Sequence, residues 1–125
     1  MDKVENYIEI FDNMDRSMVY DFLLEIGSQG EFPIELQTSQ FFVNGCQSQV
    51  WIFPYIDEDD KMRFLGHSDS FMVRGIVYLL IDIVSDMEDP TQVTWKDIEP
   101  LAKYFSMQRR RGMQAIINRI RSTVR

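Results

Sequence analysis

One cysteine and one histidine are all the soft ligand chemistry in this 125-residue chain, and that scarcity excludes a good deal. Cys46 alone closes no intramolecular disulfide, so nothing asks for an oxidising compartment. A zinc or iron–sulfur site takes three or four soft ligands, which Cys46 and His67 do not supply within one chain; no metal site is expected. Long apolar runs are missing as well. The longest, Ile76 to Ile81, falls far short of the ~20 residues that span a bilayer. The first residues, MDKVENYIEIFDN, mix acids among apolar side chains and lack the basic start and apolar stretch of a secretory signal. Repeats and low-complexity linkers are also absent. The reading is a cytoplasmic protein with no membrane association, folded as a single domain over residues 1–125.

What is present is unevenly charged. The formal net charge of −7 argues against nonspecific binding to nucleic acid or anionic membrane. Yet six of the 13 basic residues are arginines between Arg109 and Arg125, a stretch without an acid. An acidic body with a basic terminal segment suggests docking on a protein surface more than on nucleic acid.

Apolar periodicity organises the chain. Val4, Tyr7, Ile8 and Phe11 recur at helical spacing, and Asp15 is placed to cap a second helix carrying Met18, Val19, Phe22, Leu23 and Ile26 on one face. Gly27 and Ser28–Gly30 read as its C-terminal stop. Phe41 to Val43 reads as a short strand, QVWIFPYI over Gln49–Ile56 as a second, and Met62 to Leu65 as a third after an acidic turn at Asp57–Lys61. Pro54 belongs at an edge or a bulge. Ser68 or Asp69 is expected to cap a central helix over Phe71–Ser85, apolar around most of its circumference. Pro100 suits the first turn of a helix with Leu101, Tyr104 and Phe105. Ser106 caps the last helix, whose core stripe is Met113, Ile116, Ile117, Ile120 and Val124. The expected class is α+β in two layers: a small antiparallel sheet of about three strands, packed by N- and C-terminal helices.

The most informative stretch is Asn44-Gly45-Cys46-Gln47-Ser48-Gln49-Val50-Trp51. Gly45 frees the backbone for a tight turn beside the sulfur, and Gln47, Ser48 and Gln49 are poor core residues. A free cysteine is most often a buried, inert small hydrophobe. This one sits on a polar loop leading into a strand, where reactive groups are commonly displayed.

Gly45-Cys46-Gln47-Ser48-Gln49-Val50-Trp51 resembles the Gly-Cys-Gln-Ser-Gln-Val-Trp signature of the SufE/CsdE family. Gly66-His67-Ser68-Asp69 is similar to that family's Gly-Asp-Ser-Asp, and Val73-Arg74-Gly75 follows it. Ser106-Met107-Gln108-Arg109 is similar to its Ser/Thr-Pro-Ser-Arg, with Gly112 and Ile120-Arg121 beyond, and Leu24-Glu25-Ile26-Gly27 resembles its Glu-Leu-Gly helix ending. The resemblance implies a SufE/IscU-like fold and a carrier chemistry. A PLP-dependent cysteine desulfurase (SufS/CsdA-like) strips sulfur from cysteine and holds it as a persulfide. Cys46 is then the nucleophile that accepts the outer sulfur, stimulates the desulfurase by clearing it, and passes it to an iron–sulfur scaffold (SufBCD-like). The chain itself needs no cofactor, since the PLP belongs to the partner. A CsdE-like role feeding another acceptor is the first alternative.

Thiol exchange requires thiolate, and at a pKa near 8.5 only ~3% is ionised at pH 7. A cationic neighbour, backbone dipoles or the docked partner must raise that fraction. A persulfide also needs shelter, for which Phe41, Phe42, Trp51 and Phe53 are close in sequence, though Trp51 and Phe53 read first as core. Arg109, Arg110 and Arg111 lie in the first turn of a helix, where the macrodipole disfavours cations. Arg109 matches the family's arginine and is the candidate for partner docking; Arg110 and Arg111 suit ion pairs with the acidic body equally well. His67 stands where the family has Asp, as a residue that could tune Cys46, and a Cys46–His67 hydrolase is the weaker alternative. Asp69 reads as a helix cap, although the family match puts it near the desulfurase-facing region. Met107 in place of Pro and Tyr104 in place of His bear on partner specificity.

Overall fold

The computed structural model describes residues 2–124. Five α-helices frame one hairpin: α1 (Lys3–Asp12), α2 (Arg16–Gly27), β1 (Val50–Ile56), β2 (Met62–Ser68), α3 (Phe71–Ser85), α4 (Trp95–Ile98) and α5 (Met107–Arg121). Short 3-10 turns connect them at Ile34–Leu36, Ser39–Phe41, Pro90–Gln92 and Glu99–Tyr104. The class is α+β. Among the described residues, no helix is long and apolar enough to cross a membrane.

Local chemistry sets the helix starts. Asp15 accepts a hydrogen bond from the Met18 N–H at 2.9 Å, and Ser106 accepts from the Arg109 N–H at 3.3 Å, each satisfying a donor the helix itself cannot. The third helix starts differently from the sequence reading. Its cap is Ser70, which accepts from Val73 N–H at 3.3 Å. Ser68 is still in β2, and the Asp69 carboxylate is engaged elsewhere. Pro100 does open a helix, but a 3-10 one that ends before Phe105.

Helix α3 is the centre of the molecule, with Val73, Ile76, Val77, Leu79, Leu80, Ile83 and Val84 all buried. Helix α2 crosses it without side chains between them: a Cβ on Gly75 would lie 2.0 Å from the Leu23 carbonyl oxygen, and one on Gly27 2.1 Å from that of Phe71. Gly27 is thus the last residue of α2, kept small by packing, and Ser28 is the C-cap. From α5, Met113, Ile116, Ile117 and Ile120 enter the core, each worth about 1.5–3 kcal/mol on burial. Val124 does not join them and is 90% exposed.

The sheet has two strands, where the sequence suggested about three. Phe42 makes one isolated bridge to Trp51 and the Val43 N–H donates to the Val50 carbonyl at 2.8 Å, but the ladder stops there. The Val43–Val50 bond turns the carbonyls of Gln40 and Phe42 away from β1, where Arg119 of α5 takes them (2.6 and 3.4 Å); the 3-10 turn at Ser39–Phe41 before the bridge and the left-handed Gly45 after it keep the ladder from lengthening. Within the hairpin, Val50 pairs with Ser68 and Ile56 with Met62. Asp57 N–H donates to Lys61 C=O at 2.8 Å and Asp69 N–H to Gln49 C=O at 3.3 Å. Since hydrogen-bonded pairs alternate along an antiparallel ladder, Tyr55–Arg63, Phe53–Leu65 and Trp51–His67 exchange bonds. Pro54 then lies opposite Phe64 in a non-bonded pair, its nitrogen facing the outer edge of β1, where the missing N–H costs the ladder nothing.

Candidate functional site

Residues 44–49 form a loop across the mouth of the Phe42–Trp51 bridge, and three contacts hold it down. Gly45 has φ +98°, a conformation that L side chains rarely adopt. An added Cβ there would also crowd the Ala115 methyl at 3.2 Å, so the loop lies directly on α5. The Gln108 side-chain amide donates to the side-chain oxygen of Gln47. At the far end, Gln49 N–H donates to the Asp69 carboxylate at 3.0 Å. Asp69 is therefore the fastener of the loop, with no capping role at α3.

Between those fasteners the Cys46 side chain turns inward. Its thiol donates to the Gly112 carbonyl at 3.6 Å and lines a small cavity of about 20 Å³. That is close to the space one water-sized atom needs. Val73 and Ile76 of α3 and Met113 and Ile116 of α5 supply the apolar walls, and Ser48, Gln108 and Arg109 line the same cavity. Shelter for the sulfur is thus aliphatic. The nearby aromatics pack on one another, Phe41 on Phe53 and Phe42 on Trp51.

Burial sets the electrostatics at the sulfur: removal from water pushes the Cys46 thiol above its ordinary pKa. In the free protein the sulfur is a neutral, sheltered thiol. Within the described residues, Arg109 has no carboxylate within salt-bridge distance.

His67 is not brought to this cavity. It lies on the outer face of the sheet, stacked on Phe32 at 5.4 Å and tilted against Trp51 at 6.0 Å. Burial first, and then the neighbouring Arg74 charge, lower its pKa, with Asp69 opposing; its Nε2 stands 3.4 Å from an Arg74 nitrogen. Arg74 itself holds the Ser68 carbonyl at 2.8 and 3.0 Å. Arg110 also bonds backbone and no acid, donating to the carbonyls of Ala102 (2.8 Å) and Phe105 (3.1 Å). Sequence reasoning passed over Gln108 and Gly112 as parts of the site. Gly112 left a signal: a glycine inside a helix costs about 1 kcal/mol against alanine and asks for a packing reason. Here a Cβ would sit 3.8 Å from Sγ, an ordinary van der Waals contact, so the glycine places α5 directly beside the sulfur without a steric demand for it.

No group of three or more His, Cys, Asp or Glu side chains able to hold a metal converges among the described residues. What the arrangement offers is one thiol, a small cavity beside it with aliphatic walls, and an arginine in the same lining.

Comparison with known proteins agrees with that chemistry. The SufE family model, described as an Fe-S metabolism associated domain, matches residues 5–124. An uncharacterized SufE-like protein of Rhizobium meliloti (strain 1021) is 34% identical over 112 residues, covering 82% of this chain and 80% of that protein. A cysteine desulfuration protein SufE of Plasmodium falciparum (isolate 3D7) is 32% identical over 130 residues; the match takes in 95% of this chain but 52% of that longer protein. A third relative, the cysteine desulfuration protein SufE of Wigglesworthia glossinidia brevipalpis, is 24% identical over 128 residues, 96% of this chain and 88% of its own. With a family match along nearly its whole length, this chain belongs to the SufE family.

Proposed function

We propose that the protein accepts sulfur from a PLP-dependent cysteine desulfurase on Cys46, thereby stimulating that enzyme, and delivers it to iron–sulfur cluster assembly in the cytoplasm. The observation that carries the reading is the recess of about 20 Å³ behind a lone, inward-facing thiol. Family membership and the relatives named for cysteine desulfuration support the partner class.

The step balances without an external oxidant. Cys46 loses its proton as the loop meets the partner, and its thiolate attacks the outer sulfur of the enzyme persulfide. The new Cys46 Sγ–S bond forms as the partner's S–S bond breaks, and the partner cysteine leaves as thiolate. Swung back against α5, the outer sulfur takes the aliphatic recess, away from stray thiols and oxidants. Because burial favours the neutral thiol, activation belongs to the docked state, and the free carrier is protected from premature exchange. Gln47, Ser48, Gln49 and Gly45 serve as the loop that moves, Asp69 as its anchor and Arg109 as a docking cation. The chain contributes no cofactor of its own.

The test is intact-mass analysis after incubation with a cysteine desulfurase, PLP and cysteine. Wild-type protein gains the mass of one sulfur atom and Cys46→Ser gains none; equal labelling of both would sink the reading. Delivery to a SufBCD-like scaffold or to another acceptor is decided by adding each candidate to the sulfur-loaded chain and following loss of that mass. A Cys46–His67 hydrolase is disfavoured by the placement of His67 against Phe32 and Trp51, outside the Cys46 cavity.

A further inference from the structure

A cavity of about 490 Å³, sharing no lining residue with the Cys46 cavity, lies along the outer edge of β2. The ladder register decides which groups face it. Residues 63, 65 and 67 exchange hydrogen bonds with β1, so Met62, Phe64 and Gly66 turn their N–H and C=O groups outward. At Ser68 the outward carbonyl is already taken by Arg74. No group among the described residues bonds the outward backbone of Phe64 or Gly66, and both residues are buried. Buried backbone donors and acceptors are nearly always paired. The outer edge of β1 is blunted, by Pro54 and by the Phe42 bridge. The outer edge of β2 has no such protection, although exposed edges are normally covered, charged or interrupted.

The cavity is shaped as a slot beside this edge. Tyr78 and Ile81 of α3 form an apolar floor, Gly30 and Glu31 stand at one end, and Arg63 stands at the hairpin end, held by Asp57 at 2.7 Å and by the Ser85 carbonyl at 3.3 Å. Charge around the slot is acidic. Glu31 is exposed at one end, and beyond Met62 an adjoining cavity is lined by Asp60, Glu88 and Asp89 against the single cation Lys61. Arg63 is matched by Asp57, and Asp82 by Lys3.

We propose that the β2 edge is a docking site for an extended, basic segment of a partner protein, added antiparallel or parallel as a third strand. Such a segment supplies the missing backbone partners at Phe64 and Gly66, sets apolar side chains at alternate positions on Tyr78 and Ile81, and places lysines or arginines at its ends toward Glu31 and Glu88. Met62 to Gly66 spans about 14 Å at strand rise, room for about five residues. A second copy of the chain is the poorer occupant. Isologous β2–β2 pairing brings one acidic rim against another, and the chain is already at −7. The site is independent of Cys46, so sulfur transfer and segment docking stand or fall separately.

The experiment uses the full chain and two synthetic peptides, acetyl-Lys-Val-Thr-Val-Thr-Val-Lys-amide and its counterpart with Glu for both lysines. Amide hydrogen exchange is followed residue by residue by NMR. The Lys-flanked peptide is expected to slow exchange at the Phe64 and Gly66 amides by about tenfold or more, with no comparable change at Leu65, whose N–H is already paired. The Glu-flanked peptide is expected to bind about tenfold more weakly, and Glu31→Lys, at an exposed position, to narrow that difference. No slowing at either amide overturns the proposal. Equal protection by both peptides overturns the basic occupant, and protection that grows with protein concentration alone, with a dimer mass, overturns it in favour of self-pairing.

Discussion

The two ends of α5 carry the same residue type to opposite purposes. Toward its C-terminus, Arg119 clamps the carbonyls of Gln40 and Phe42, and Arg121 donates to the Val93 carbonyl at 2.6 Å. Those arginines tie irregular segments to a helix, and they sit where the helix dipole welcomes them. In the first turn, Arg110 does similar work on Ala102 and Phe105, but Arg109 and Arg111 have no such carbonyl and, among the described residues, no carboxylate. Arg109 lines the Cys46 cavity instead. A basic stretch that looks uniform in sequence therefore divides into stitching and an arginine, without a carboxylate partner among the described residues, that lines the cavity of the candidate thiol.

Four measurements break or sharpen that division. The largest effect on folding is expected from Arg119→Ala, which leaves two carbonyls without their donor. Hydrogen bonds from a charged group are worth about 1.5–3 kcal/mol; with one acceptor exposed, a loss of about 2 kcal/mol is expected, read as a fall in thermal midpoint. Arg109→Glu should do the reverse: stability within about 0.5 kcal/mol of wild type, and desulfurase-coupled sulfur uptake slowed by about tenfold, some 1.4 kcal/mol. An unchanged uptake rate would remove Arg109 from the docking surface. The pH dependence of iodoacetamide alkylation is the third. Since burial raises the Cys46 pKa, its rate should reach half-maximum at higher pH than a free cysteine, near 8.5. The sign for stability agrees: the neutral thiol stabilises fully below the unfolded pKa, and that contribution is lost as pH climbs from there through the folded value. The smallest effect is expected from His67→Ala: about 1 kcal/mol of lost stacking on Phe32 with sulfur uptake unaltered. A large loss of uptake would show that His67 acts on Cys46 from outside the cavity.

Which features were legible in the sequence follows from how local their causes are. Helices α2 and α5 announce themselves through a cap and an apolar stripe, and Asp15 and Ser106 do cap them. At the start of α3, Ser68, Asp69 and Ser70 are all competent caps, and the choice is made by long-range contacts: Ser68 stays in β2, and Asp69 is drawn to Gln49. The third strand is cut to one bridge by its neighbours, the 3-10 turn at Ser39–Phe41 before it and the left-handed Gly45 after it. At the site, Cys46, its loop and Arg109 were readable from the motif. The recess was not, since Cys46 meets Gly112 across 66 residues and the walls come from α3 and α5. His67 is placed by long-range packing on Phe32 and Trp51, outside the Cys46 cavity, which its nearness to the motif in the sequence does not reveal.

The glycine seam between α2 and α3 has a mechanical consequence. With Gly75 against the Leu23 backbone and Gly27 against that of Phe71, the two helices meet main chain to main chain at two points, so a slide of one past the other is sterically blocked there. Val73 and Ile76, which line the Cys46 cavity, belong to that locked pair. Under the proposed function, the sulfur would therefore travel with the opposite side: the six-residue loop 44–49, turned at the left-handed Gly45 and held by the Gln47–Gln108 and Gln49–Asp69 bonds that would have to part.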